Sequence, residues 1–144
     1  MIAVDTSIVV YAHREDAPHH ATARDALASL ASDGRPWAVP WACLHEFLAI
    51  VTHRKVFDPP SPVDDALAAV SDLLALAGMQ PLAELADHSV LLGELLTASK
   101  VTGAKVHDAR VTAICLSNGV DTLWTADRDF RYFPSLHTAN PLLA

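Results

Sequence analysis

Glycine is scarce, 5 in 144 residues, and only 19% of residues are charged against 51% hydrophobic. Those proportions exclude a collagen-like chain and an intrinsically disordered one, and leave a globular protein. Cysteine is almost absent. With 2 in the whole chain there is no disulfide framework. Cys43 and Cys115 both fall in apolar helical stretches, where buried free thiols are expected, and a cysteine-held metal lacks ligands. No apolar run reaches the roughly 20 residues that cross a bilayer, because Asp72, Glu94 and Lys100 interrupt the longest candidates. The opening MIAVDTS has an acid at position 5 and no basic flank, unlike a secretory signal. A cytoplasmic protein without membrane association is expected, and the length suits a single domain over 1–144.

Bases are also in deficit. Lys and Arg number 10 against 17 acids, for a net charge of −7. Phosphate backbones are attracted by Lys and Arg, so this balance weighs against broad nucleic-acid binding. A divalent cation held by carboxylates would reverse the field locally. The bases are unevenly spread, and Arg14, Arg24, the His53–Arg54–Lys55 run, Lys100, Lys105, Arg110, Arg128 and Arg131 are expected to line one groove.

What is present is a regular alternation. A short apolar strand over 2–4 ends at Asp5, and Thr6 and Ser7 start a helix. A helix over 19–30, a strand over 37–39 and an apolar helix over 41–52 follow. Three prolines make 57–62 a loop before a helix over 63–77. The run 79–82 reads as a strand that Pro81 confines to an edge or bulge. A helix over 86–99, a loop around Gly103 and a helix over 107–117 come next. A strand over 122–125, a turn or short helix over 126–132 and a last edge strand over 136–138 complete the chain. Such alternation predicts an α/β sandwich with a mostly parallel central sheet flanked by helices. Ligands in these sheets bind beyond the carboxyl ends of the strands, where Asp5 and Asp127 fall.

Each candidate carboxylate has an ordinary explanation. Asp5 suits a helix N-cap, and Asp127 and Asp129 suit a turn that caps a short helix. Asp108, in the first turn of its helix, would favour the helix dipole by about 0.3–1 kcal/mol. Glu46 lies among Cys43, Ala49 and Ile50 at helical spacing, so a buried carboxylate needing an ionic partner, a hydrogen-bond network or a metal is expected. In combination these residues converge on one crevice. Oxygen ligands suit Mg²⁺ or Mn²⁺, and without a cation the carboxylates would raise one another's pKa.

The strand ending in VDTS, the helical HEF, the HDA in a first helical turn and the late TADRDF resemble the PIN-domain ribonucleases, and among them the VapC-type toxins of bacterial toxin–antitoxin pairs. The resemblance runs over essentially the whole chain. It implies a PIN-like three-layer sandwich with the quartet Asp5, Glu46, Asp108 and Asp127 as catalytic and metal-binding residues for Mg²⁺ (or Mn²⁺). Asp5 and Asp108 would ligate directly, and Glu46 and Asp127 directly or through water. Thr6 would serve the metal's waters or the scissile phosphate. Asp129 would be an auxiliary acid, ranked lower because its position favours capping. The implied activity is hydrolysis of phosphodiester bonds in structured or single-stranded RNA (tRNA, rRNA or mRNA), leaving a 5′-phosphate. The implied partners are a cognate antitoxin protein and a second copy of the chain, with apolar stretches 63–76 and 90–96 as candidate surfaces.

Rival chemistries fit less well. His45–Glu46 begins an H-E-x-x-H zinc motif, but the fifth position is Ala49. A haloacid-dehalogenase-like site needs a second Asp where Ser7 stands, and a receiver domain needs paired acids in the first loop and a late lysine. The remaining alternative is a PIN-like module that binds RNA or protein without cutting.

Overall fold

The computed structural model describes residues 1–143. Five strands, β1 (Ile2–Val4), β2 (Trp37–Pro40), β3 (Met79–Leu82), β4 (Thr122–Trp124) and β5 (His137–Ala139), form one sheet in the order β3-β2-β1-β4-β5. Every pairing is parallel, so the expected mostly parallel sheet is wholly so. The register sets Ile2 beside both Trp37 and Thr122.

Parallel neighbours need crossover connections. Six helices supply them among the described residues: α1 (Thr6–His13), α2 (His20–Ser32), α3 (Trp41–Val51), α4 (Val63–Leu74), α5 (His88–Ser99) and α6 (Lys105–Ser117). A 3₁₀ turn over Arg128–Tyr132 joins β4 to β5. All four residues of β2 are buried, as expected for a strand covered on both faces. The edges differ. Gln80 and Pro81 of β3 are exposed and so is all of β5, and Pro81 thus sits where a missing N–H costs least.

The core runs along the sheet and into α3 and α6. Trp37, Phe47, Phe133, Ile8, Leu44, Ile114 and Leu123 are among the largest fully buried side chains, each contributing about 1.5–3 kcal/mol. In α6 the run Val111 to Cys115 is buried at every position. A helix packed all round cannot turn about its axis, so the residues at its amino end are held in place.

Boundaries shift where turns intervene. α4 stops at Leu74, short of the expected 77, because residues 75–78 turn into β3. Gly78 makes that turn at φ +79°, and a Cβ there would meet Arg35 O at 2.7 Å. Its carbonyl accepts the Trp37 amide at 3.0 Å, and Ala77 O accepts the indole Nε1 of Trp37 at 2.9 Å. α3 is apolar by composition but not buried all round, since Trp41, His45 and Ala49 face solvent. Both cysteines are buried free thiols, as expected.

The chain runs from β1 out to β3 on one side and then crosses to β4 and β5 on the other. β1 and β4 therefore flank the topological switch point, where parallel sheets open a crevice at their carboxyl ends. Asp5 follows β1 there, and Thr125 to Asp127 follow β4.

Candidate active site

Asp5 stands at the N-cap position of α1 with an extended backbone, yet its side chain caps nothing. Its Oδ2 instead accepts hydrogen bonds from Thr125 Oγ1 at 2.7 Å and Ser7 Oγ at 3.3 Å, and its Oδ1 faces the Cys43 thiol at 3.5 Å. The ordinary capping explanation therefore does not hold. The residue is 5% exposed. Burial pushes its pKa up, the Thr125 bond opposes that, and the Glu46 charge adds to the rise.

Ser7 and Thr125 also lock the β4 loop against β1. Ser7 Oγ accepts the Ala126 amide at 3.1 Å, and Thr125 Oγ1 accepts the Asp127 amide at 2.9 Å. Thr6 is buried, and its hydroxyl donates to the Cys43 carbonyl at 3.4 Å, tying α1 to α3. That bond faces inward, so the hydroxyl is engaged in packing.

Asp108 projects from the first turn of α6, whose Thr112 hydroxyl donates to the Asp108 carbonyl at 2.8 Å. Its carboxyl is pushed up to about 6, by burial first and then by the charges of Asp127 and Asp5. The expected mutual repulsion is present, second to desolvation. Asp127 lies three residues beyond β4 and accepts the Asp129 amide at 2.8 Å, so Asp127 is the cap of the 3₁₀ turn. This corrects the reason for ranking Asp129 lower, since its side chain is not the one that caps.

One oxygen from each of Asp108, Asp127 and Asp129 lies within 4.8 Å of the others. Asp5 and Glu46 are not members of that group. Asp5 lies close enough for its charge to act on Asp108, whereas Glu46 pairs with the imidazole of His107. Glu46 is also not buried. Its side chain is 36% exposed, which corrects the expectation drawn from its apolar helical neighbours. The hydrogen bond that the Glu46 carboxylate accepts from the His107 imidazole raises the His107 pKa, and burial opposes the rise.

The donor set fits a hard divalent cation. Three carboxylates from two segments offer oxygen alone, and hard cations bind through a few carboxylates while keeping water. The raised Asp108 pKa marks a place where nearby positive charge would be stabilising. The bases meet different partners. Arg14 pairs with Asp16 and Arg110 with Glu84, both at 2.7 Å, while Lys105 and Arg131 flank Tyr132.

A sequence model described as the PIN domain matches residues 2–136. The chain belongs to the PIN-domain family. It is 36% identical over 142 residues to the VapC ribonuclease Mb2897 of Mycobacterium bovis, covering 99% of this chain and 96% of that one. Among solved structures, VapBC2 from Rickettsia felis bound to a DNA fragment from its promoter aligns with a TM-score of 0.72 at 20% identity, covering 97% of this chain and 98% of that one. The sarcin-ricin-loop-cleaving toxin VapC20 of Mycobacterium tuberculosis aligns at 0.67 and 21%, over 91% of this chain and 93% of that one. The expected PIN-like sandwich is borne out by these folds.

Thr125, Ser7 and Cys43 contact Asp5, although no sequence signal gave them a part in the site. Ser7 and Thr125 lie inside the very DTS and TADRDF runs that carry the PIN resemblance, so a signal was adjacent. For Cys43 no local signal exists, because its contact with Asp5 joins two helical segments.

Proposed function

We propose that this PIN-domain protein is a ribonuclease that hydrolyses phosphodiester bonds of RNA with Mg²⁺ or Mn²⁺, and that it acts as the toxin of a toxin–antitoxin pair. The observation that carries this reading is the convergence of Asp108, Asp127 and Asp129 beside the buried Asp5 at the switch point of a parallel sheet. The likeness to a VapC ribonuclease over almost the whole chain supports it. We take residues 1–144 as one domain.

Asp5, Glu46, Asp108 and Asp127 are the proposed metal-binding quartet, Asp5 and Asp108 ligating directly and Glu46 and Asp127 directly or through water, with Asp129 as an auxiliary acid beside Asp108 and Asp127. When bound, the cation would favour ionised water near neutral pH and offset the charge of the phosphate. The chain's own groups do the remaining work. Thr125 and Ser7 fix the orientation of the Asp5 carboxylate and hold the Asp127 loop against it. Asp127, by accepting the Asp129 amide, sets where Asp129 stands. The Glu46–His107 pair favours a protonated imidazole near the carboxylates, a proton donor and a positive charge at the crevice. Thr6 would act through packing α1 on α3.

The proposed partner is an antitoxin protein; the Rickettsia neighbour is itself a VapBC assembly. A second copy of this chain is the other proposed partner, with candidate surfaces on α4, where Val63 and Leu67 are 61% and 51% exposed, and α5, where Val90 is 61% exposed. No helix among the described residues is long and apolar enough to cross a membrane.

Expression of the wild type and of Asp108→Asn in bacteria, with mapping of new 5′-monophosphate RNA ends, tests this reading. Discrete new ends with the wild type alone are expected. Equal silence from both soluble proteins, across hosts that include an actinobacterium, would instead support a module that binds without cutting.

A further inference from the structure

Of the ten lysines and arginines of this acidic chain, three are committed to ion pairs. Arg14, Arg35 and Arg110 each pair with a carboxylate within 2.7 Å. Lys100, Lys105 and Arg131 do not; among the described residues none of them forms a salt bridge. Lys105 and Arg131 gather instead about one aromatic ring. Lys105 Nζ lies 4.2 Å from the Tyr132 ring centroid, and Arg131 Cζ lies 5.3 Å from it. A pocket of about 410 Å³, whose lining includes Lys100, Lys105 and Tyr132, opens there. Lys100 closes α5 in the left-handed conformation at φ +61°. Glycine is the usual residue at such a helix end, and a lysine there carries a conformational cost.

The position of this pocket relative to the acidic crevice is fixed by the two elements that build both. Lys105 precedes Asp108 by three residues in α6, which puts them on one face about one 5.4 Å turn apart. Arg131 and Tyr132 belong to the 3₁₀ turn that Asp127 caps and that carries Asp129. A cation-lined hollow thus begins where the carboxylate group ends. Its chemistry is the opposite of its neighbour's: ammonium and guanidinium groups that pair with no carboxylate among the described residues, beside the amino end of a helix whose dipole favours an anion.

We propose that Lys105 and Arg131, which flank Tyr132, together with Lys100, which lines a pocket with Lys105 and that ring, form a subsite for a phosphate group of the RNA strand next to the linkage that is cut. The proposal rests on the ribonuclease reading. It explains how a chain of net charge −7 holds a polyanion: one local subsite anchors the strand while the carboxylate group addresses the neighbouring linkage. Lys105 is held by Tyr132 rather than by a carboxylate, so its charge is not neutralised by an acid and can meet a phosphate.

Binding of a fluorescein-labelled ten-nucleotide single-stranded RNA, measured by anisotropy in an Asp108→Asn background with Mg²⁺, tests the subsite while the strand stays whole. Lys105→Gln should weaken binding roughly tenfold, as loss of a charge-assisted contact does. It should also flatten the dependence of log affinity on log salt by about 0.7. Lys105→Arg should recover most of the affinity. Arg35→Gln, an equal loss of charge at the amino end of β2, should change neither quantity. The subsite is overturned if Lys105→Gln matches Arg35→Gln in affinity and salt slope, if the two lower affinity equally, or if the Asp108→Asn protein binds no RNA. Loss of binding to an acidic protein with RNA affinity unchanged would overturn it too. Cleavage assays with Asp108 intact separate the two claims. If the wild type cuts RNA and Lys105→Gln leaves kcat and KM unchanged, the subsite fails and the ribonuclease reading stands. If nothing is cut but binding still depends on Lys105, the ribonuclease reading fails and the RNA-phosphate site stands.

Discussion

Glu84 and Asp108 both lie at the carboxyl-end rim of the sheet, one beyond β3 and the other in the first turn of α6, and α6 treats them oppositely. Arg110 of α6 reaches Glu84 with Nε and NH2, both at 2.7 Å, and this bond holds the Glu84 carboxyl below its ordinary value. Asp108 is two residues earlier on the same helix, and residues so spaced face different ways. It meets burial and the charges of Asp127 and Asp5, and its carboxyl is pushed up to about 6. One helix therefore satisfies an acid on one side and frustrates another on the other side. The difference separates a structural ion pair from a site prepared for a cation, and it is visible without any ligand. A charge cluster that the fold could have neutralised, as it did at Glu84, but did not, is the stronger sign of function.

The largest expected effect breaks the comparison at the level of chemistry. Asp108→Asn should lower RNA cleavage at least about a hundredfold, an order typical for loss of one group that acts on the transition state. Glu84→Gln should leave kcat within about twofold. Comparable losses in both variants would mean that the contrast between the two acids has no functional content.

Stability should move the other way. The folded pKa of Asp108 lies above the ordinary aspartate value, so the folded state holds this proton more tightly than the unfolded one. Metal-free stability therefore falls as pH rises from about 4 to about 6, and the loss is complete above that. A two-unit shift corresponds to about 3 kcal/mol at full burial; solvent screening of a half-exposed group reduces this to about 1 kcal/mol. Asp108→Asn should recover that amount at pH 7 in chelator and show no gain near pH 3.5. Added Mg²⁺ should stabilise the wild type and leave the variant nearly unchanged. Urea unfolding at the two pH values, with and without Mg²⁺, reads all of this. A variant less stable than the wild type at pH 7 in chelator would contradict the assignment.

The smallest effect is expected on the satisfied side. Glu84→Gln removes a pair exposed to solvent and should cost no more than about 0.5 kcal/mol at any pH above 5. A loss of 2 kcal/mol or more in the same unfolding experiment would make Glu84 the more important acid of the two for the fold.

The contrast also marks how far the sequence could be read. Strands and helices were legible because their signals are local: the apolar run before Asp5, Pro81 at an edge, Asn118 and Gly119 after α6. The strand-end positions of Asp5 and Asp127 followed from that order and the crevice rule. What was not legible depends on pairs distant in the chain. Thr125 bonds Asp5 across 120 positions, and no spacing rule connects them. Glu46 misled for a different reason. Its neighbours at helical spacing are apolar, but an apolar residue is not thereby buried; Ala49 is exposed, so the face it shares with Glu46 opens towards His107 and solvent. The capping role went to Asp127 rather than Asp129, a choice that only the backbone path of the 3₁₀ turn decides.

The measurement that bears most directly on the proposed activity is cleavage of a defined RNA pool by the purified protein, in Mn²⁺ or Mg²⁺ and again in chelator, with the new ends characterised chemically. The account predicts cutting only with the cation, loss of cutting in Asp108→Asn, and 5′-monophosphate with 3′-hydroxyl ends. Cutting that persists in chelator, or that leaves 2′,3′-cyclic phosphate, would contradict a carboxylate-held cation and water as the nucleophile.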